Sequence, residues 1–113
     1  MIIFPFPPPI LFPNHKSHWA VKARAVKSYR ANIAWITRAS VDWIDGKGDI
    51  PILLVFCPPD RRRRDRDGLL SSFKAGLDGI ADALQVDDYR FRPTIDVGDV
   101  IKDGEVRVFI NGT

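Results

Sequence analysis

The stretch CPPDRRRRDRDG, Cys57 to Gly68, sets five arginines and three aspartates in twelve positions. Two chemistries can use that composition. Arginines neutralise a polyanion through forked contacts to phosphate, and neighbouring carboxylates can share a divalent cation. If residues 64–67 leave a strand still extended, Asp65 and Asp67 point to one side while Arg64 and Arg66 point to the other. Further along, Asp67, Ser71, Lys74 and Asp78 fall on one face of a helix. Helical side chains lean toward the N-terminus, so the Lys74 ammonium can approach the two carboxylates or a phosphate beside them. Asp87-Asp88 follows that helix, and a strand antiparallel or adjacent to Ile52–Phe56 could carry these acids back to the Asp65/Asp67 end. Three carboxylates and a lysine would then converge.

The same residues also have plainer readings. An Asp-x-Asp among arginines can be a self-compensating charge cluster, Asp67 a helix cap, Asp87-Asp88 a turn, and Lys74 only an i+4 partner for Asp78. His15 and His18 have a spacing that suits a metal on a helix, but no second pair of ligands accompanies them, so packing or hydrogen bonding suits them better. Trp19, Trp35 and Trp43 read as core or interface anchors rather than base-stacking platforms. Residue types and spacing alone stop at a small α+β protein able to bind nucleic acid.

These side chains need a scaffold, and length bounds it. A chain of 113 residues with 45% hydrophobic content can bury one modest core, which leads us to expect a single domain over 1–113. Lys and Arg number 17 against 14 Asp and Glu, and the net charge of +3 permits an anionic partner without requiring one. The distribution says more. Lys16, Lys22, Arg24, Lys27, Arg30 and Arg38 occupy a window without an acid, and the arginine run forms a second basic block. The single cysteine cannot form an internal disulfide, and Cys57 reads as a small packed hydrophobe in a reducing, intracellular setting. MIIFPFPPPILFP is apolar but broken by five prolines and lacks a basic start, so it reads neither as a signal peptide nor as a membrane span.

Along the chain, Ile2–Phe6 reads as a short strand that prolines end. From about Ser17 to Ile44, Val26, Tyr29, Ile33, Ile36 and Trp43 recur at helical spacing and predict one long helix with an apolar stripe. Asp45-Gly46-Lys47-Gly48-Asp49 is a turn, and Ile52–Phe56 a central strand bounded by prolines. Leu69, Leu70, Phe73, Leu77, Ile80 and Leu84 share one helical face, which predicts an amphipathic helix over 67–84 with Asp67 as its N-cap. Phe91–Val100 and Glu105–Ile110 flank Lys102-Asp103-Gly104 and read as a β-hairpin. The order β-α-β-α-β-β predicts an α+β domain with one small mixed sheet packed with two helices.

PPDRRRRDRDGLL, followed by Lys74, Leu77-Asp78 and Asp87-Asp88, resembles the signature of the RusA family of Holliday junction resolvases. That signature reads as an arginine-flanked Asp-x-Asp-Asn-Leu, a lysine on the following helix and an Asp-Asp after it. FPFPPP and PNHKSHWAVKARAVKSYR are similar to the opening of phage-type members, so the resemblance covers nearly the whole chain. It implies a Mg2+-dependent endonuclease, with Mn2+ as a substitute, that acts as a homodimer on branched DNA and cuts four-way junctions by paired nicks. The setting it implies is the cytoplasm of a bacterial cell, with a phage or prophage gene and no membrane. Carried over position by position, the metal-binding acids are Asp65, Asp67 and Asp88, with Asp87 beside the last, and the essential lysine is Lys74.

Two positions depart from the pattern. Gly68 stands where the family has asparagine, and Lys74 follows Asp67 by two helical turns where the founding type has its lysine one turn on. In the implied mechanism Lys16, Lys27, Arg30 and Arg61, Arg62, Arg63 and Arg64 neutralise junction phosphates. Mg2+ held by the acids polarises the scissile phosphate and activates water, and Lys74 stabilises the charge that develops. A C2 dimer would offer one such site to each of two opposed strands. A non-catalytic branched-DNA-binding protein of the same fold is the alternative, and a small basic scaffold protein a third.

Overall fold

The structure is a computed structural model that describes residues 1–41, 44 and 46–113. Trp43, expected to extend the stripe of the first helix, and Asp45, expected to open the following turn, lie outside the described residues. The class is α+β: seven main elements run β1 (Ile2–Pro5), α1 (Trp19–Ser40), β2 (Ile50–Cys57), α2 (Arg66–Ser72), α3 (Lys74–Leu84), β3 (Phe91–Val97) and β4 (Glu105–Ile110). Short 3-10 turns occupy Pro9–Leu11 and Asp88–Arg90. They fall into a sheet unit (Met1–Phe6, Ile44–Arg63, Asp87–Thr113) and a helical unit (Pro7–Trp43, Arg64–Val86). Among the described residues no helix is long and apolar enough to cross a membrane.

In the sheet unit the strand order is β1-β4-β2-β3, with β2 and β3 parallel and the other neighbours antiparallel. The expected central strand is therefore central. On one face Phe4 opposes Val106 and Val106 opposes Phe56, while Ile2, Val108 and Leu54 form the next row. All six are buried, and such cross-strand apolar rows are what hold a sheet in register. β1 takes the edge, where its proline needs no ladder partner.

The expected hairpin is not formed, because β4 pairs with β1 and β2 and not with β3. After β3 the chain crosses the end of β2: the Gly98 amide donates to the Phe56 carbonyl at 2.9 Å and the Ile101 amide to that of Pro58 at 3.0 Å. Gly98 permits the crossing, since a Cβ there would come within 2.9 Å of the Cys57 sulfur. The reason lies in the two strands. β4 buries Val106, Val108 and Ile110 and requires neighbours on both sides, whereas β3 is exposed over most of its length and suits an edge.

In the helical unit α1 packs along α3. α1 buries Tyr29, Ile33, Ala34 and Thr37, and the Thr37 hydroxyl is satisfied by the Ile33 carbonyl at 2.8 Å. His18 caps the helix, its Nδ1 accepting from the Ala20 amide at 3.2 Å, so a hydrogen-bonding role is what this histidine fills. The two helices meet at Gly79, where a Cβ would stand 2.5 Å from the Arg30 carbonyl oxygen. Only glycine lets the backbones come so close.

Candidate nucleic-acid and metal site

β2 ends at Cys57, which is fully buried, and burial pushes its thiol up from the ordinary range. It is the packed hydrophobe expected. Pro58 and Pro59 follow, and the Asp60 carboxylate accepts from the Arg62 amide at 2.9 Å, a turn that directs the arginine run outward. Arg61, Arg62 and Arg63 are exposed at this end of the sheet unit.

The second segment of the helical unit opens at Arg64, just before the two central acids. Asp65 is the residue before α2, with an extended backbone (φ −76°, ψ 149°), and its carbonyl accepts from the Leu69 amide at 3.0 Å. Asp67 lies in the first turn of the helix itself. Two expectations change here. The chain is not extended through 67, so strand alternation does not align the carboxylates, and the cap position belongs to Asp65 rather than Asp67. Yet the Asp65 side chain makes no capping bond. Both acids are exposed, and among the described residues neither carboxylate is taken up by a hydrogen bond or ion pair. Gly68 faces open space, with nothing within 4 Å of a Cβ built there. Packing therefore does not demand glycine at this position, where the RusA signature it resembles has asparagine.

The expected single helix over 67–84 is two helices, broken at Phe73 (φ −97°, ψ 6°). Just before the break the buried Ser72 hydroxyl donates to the Leu69 carbonyl at 2.7 Å, a back-bond that bends helices. Phe73 is fully buried, edge-on to Tyr29, and its ring occupies the space above Gly76, where a Cβ would come within 2.6 Å. The break interrupts the 100° progression, so Asp67 and Lys74 do not share a face by periodicity. Lys74 opens α3, and its ammonium donates to Asp78 at 3.1 Å.

Asp78 and the next acid on α3 belong to a second cluster. The Arg30 guanidinium grips Asp82 with two bonds of 2.6 and 2.8 Å and stands 3.9 Å from Asp78. The hydrogen bond from Arg30 holds the Asp82 carboxyl below its usual range, against some opposing desolvation. Arg30, expected among the phosphate contacts, is thus already occupied in joining α1 to α3. Lys16 and Lys27 are exposed, as expected of phosphate contacts, and so are Arg24 and Arg38. Trp19 and Trp35 are 77% and 74% exposed, so neither is a core anchor.

Asp87 and Asp88 lie in the sheet unit. The Asp87 carboxylate accepts from the Tyr89 amide at 2.9 Å and caps the 3-10 turn, while Asp88 is half-buried. The strand that follows runs parallel to β2, pairing Phe91 with Ile50 and Val97 with Phe56. Asp87-Asp88 therefore sit at the Ile50 end of β2, whereas the arginine run leaves from the Cys57 end. β2 has 8 residues, which at about 3.3 Å each spans roughly 25 Å. Arg90, which the sequence did not single out, donates to the Gly48 and Gly46 carbonyls at 2.7 and 3.1 Å and ties the glycine turn to the start of β3.

Among the described residues no group of three or more His, Cys, Asp or Glu side chains is gathered as a metal cluster. Asp65 and Asp67 nonetheless fit Mg2+ in kind, because this hard cation takes oxygen donors and is commonly held by one or two carboxylates together with waters and substrate phosphate. No family model matches the chain. An uncharacterized protein of Xylella fastidiosa, strain Temecula1, is 35% identical over 117 residues, which cover 98% of this chain and 75% of that protein.

Proposed function

This chain belongs to one family with the Xylella fastidiosa protein, and we propose that it is a Mg2+-dependent, structure-specific DNA endonuclease that resolves four-way junctions in recombination and repair. The observation that carries the reading is the pair of exposed, uncommitted carboxylates, Asp65 and Asp67, directly after the arginine run. Two such charges add nothing to a surface whose purpose is only to hold phosphate. A metal between carboxylate and phosphate accounts for both.

In this reading Lys16, Lys27 and Arg61–Arg64 neutralise backbone phosphates, which gives affinity that falls with salt and carries little sequence information. Asp65 and Asp67 hold the cation, and the resemblance to the RusA family adds Asp88 as a third ligand, with Asp87 occupied as a cap. Bound there, Mg2+ (or Mn2+) supplies Lewis-acid polarisation of the scissile phosphate and a lowered pKa for water. Lys74 exchanges Asp78 for the phosphate and stabilises charge on its oxygens as the bond breaks. A homodimer matches the approximate two-fold symmetry of a junction and makes the paired nicks. The setting is the bacterial cytoplasm, with the gene carried by a phage or prophage.

A non-catalytic branched-DNA-binding protein is the second reading. Gly68, where the RusA pattern has asparagine, favours it. Incubation with a synthetic four-way junction, with and without Mg2+, resolved on native and denaturing gels, separates the two. Symmetric nicks that need the metal support the endonuclease; a retarded junction that stays intact with Mg2+ and with Mn2+ overturns it in favour of the binder.

A further inference from the structure

Trp35 sits on the side of α1 opposite the packed face. Its neighbours two positions either way, Ile33 and Thr37, are both fully buried, and in a helix a two-residue step turns the side chain about 200°. Trp35 therefore faces solvent by construction. Successive 100° steps place Arg24 within about 20° of the same direction and Arg38 within about 60°. Along the axis Arg38 lies about 4.5 Å beyond the indole and Arg24 about 16 Å before it. Both arginines are exposed, and the residues between Arg24 and Trp35 on that face, Ser28 and Ala31, are small.

Single exposed apolar residues need no explanation, but this one lies on a helix that carries no acid at all over its 22 residues. The charge selects the occupant. A second copy of the chain meeting this face would bring together two helices that each carry arginines and no acid, and like charges gathered in one contact are costly. A polyanion that also offers a flat π-surface satisfies both the cations and the indole. Nucleotides released from a duplex have that chemistry: positive side chains track the backbone while bases stack on aromatic rings. A paired duplex presents only phosphates, its base faces being covered.

We propose that Trp35 is a stacking platform for an unpaired nucleobase, flanked by Arg24 and Arg38 as phosphate contacts, and that it engages bases opened at the branch point of a junction. The last clause rests on the endonuclease reading; the platform itself does not. The test compares the whole protein with W35A and W35F on three labelled DNAs of equal length: oligo-dT, a four-way junction and a paired duplex. Anisotropy is the binding readout, quenching of tryptophan emission by oligo-dT the stacking readout, and sedimentation velocity gives the oligomeric state. W35A should weaken oligo-dT and junction binding by about tenfold, the scale of one stacked base, leave duplex binding within about twofold and lose most of the quenching. W35F should recover most of the affinity.

Equal losses on all three DNAs, or no loss on any, overturn the platform. So does a W35A protein that dissociates into monomers while each protomer binds DNA as before, which would assign Trp35 to a contact between copies. Trp35-dependent binding of oligo-dT by a protein that never nicks junctions sinks the endonuclease reading and upholds the platform. Metal-dependent nicking with W35A indistinguishable from wild type does the reverse.

Discussion

The helical unit contains two pairs of aspartates that differ in what surrounds them. Asp78 and Asp82 on α3 are met by Lys74 and by the forked guanidinium of Arg30, whereas Asp65 and Asp67 at the start of α2 are met by nothing among the described residues. Residue type does not separate the pairs; position relative to α1 does. Gly79 draws the two helices together, and that brings Arg30 across to the outer face of α3. The paired acids are part of how the helices hold each other. The unpaired ones contribute no such contact, although arginines flank them in the sequence, and so their reason for being there has to be sought outside the folded chain.

The comparison breaks most visibly at Asp67. Asp67→Asn should reduce junction cleavage by about 10³-fold, the scale of losing a principal electrostatic contributor to the transition state. Thermal stability should stay within about 0.5 kcal/mol of wild type, as for surface changes that remove no contact. Junction affinity should hold or tighten, because a charge that repels phosphate is gone. Single-turnover gels and a melting curve on the same preparation check both halves. Cleavage near the wild-type rate would end the metal assignment, and a large loss of stability would show that Asp67 belongs with the committed pair after all.

Lys74 stands between the two groups, paired with Asp78 yet assigned a role beside the phosphate. If it acts in the reaction, Lys74→Ala should slow single-turnover cleavage at saturating enzyme by about 10²-fold with little change in affinity. If it is one phosphate contact among several, affinity should weaken and the salt slope fall by about one unit while the saturated rate holds. If pairing with Asp78 is its whole role, both readouts should match wild type, since exposed i+4 pairs contribute only about 0.3–0.5 kcal/mol. An unchanged saturated rate removes Lys74 from the reaction.

What the sequence made legible was local. Ile52–Phe56 announced itself through an unbroken apolar run between prolines, and the spacing of Tyr29 and Ile33 marked the buried face of α1. The exposed, charged character of Asp65 and Asp67 was equally open to view. The misreadings share a cause in partners distant along the chain. Lys102-Asp103-Gly104 has true turn chemistry, with positive φ at Asp103 and Gly104, but whether flanking strands pair depends on where β2 lies, and β4 gains more by inserting between β1 and β2. The α2–α3 break depends on Phe73 being buried edge-on to Tyr29. Arg30 reads as one more free cation until Asp82, 52 residues away, is seen to hold it.

Gly79→Ala tests whether helix approach is what commits Asp78 and Asp82. The added methyl would stand 2.5 Å from the Arg30 carbonyl oxygen and 3.1 Å from the Ile33 Cβ. Overpacking of this kind costs about 1–3 kcal/mol, offset in part by the better helix propensity of alanine. The midpoint of thermal unfolding should fall by several degrees, at about 2–8 °C per kcal/mol for a chain of this size. A midpoint at or above that of wild type would mean that the helices can part without loss and that Gly79 does not set their distance.

The smallest effect expected is that of Asp82→Asn, and its sign with pH is what gives it value. The Arg30 hydrogen bond holds the Asp82 carboxyl below its ordinary range in the folded protein, so the unfolded chain binds this proton more readily than the folded one. The stabilisation is therefore present in full above the unfolded pKa of about 3.9. It is lost as pH falls through the lower, folded value. Because the Asp82 and Arg30 side chains are 39% and 46% exposed, the pair contributes at most about 1 kcal/mol. Urea unfolding of wild type and Asp82→Asn should differ by that amount near neutral pH and converge as pH is lowered through the carboxylate range. Arg30→Ala should abolish the same pH-dependent increment, since it removes the group responsible for the shift. A wild-type advantage that persisted unchanged into acid would mean that Asp82 stabilises the helix pair through packing or shape rather than through its charge, and the distinction between neutralised and unneutralised aspartates would lose its electrostatic basis.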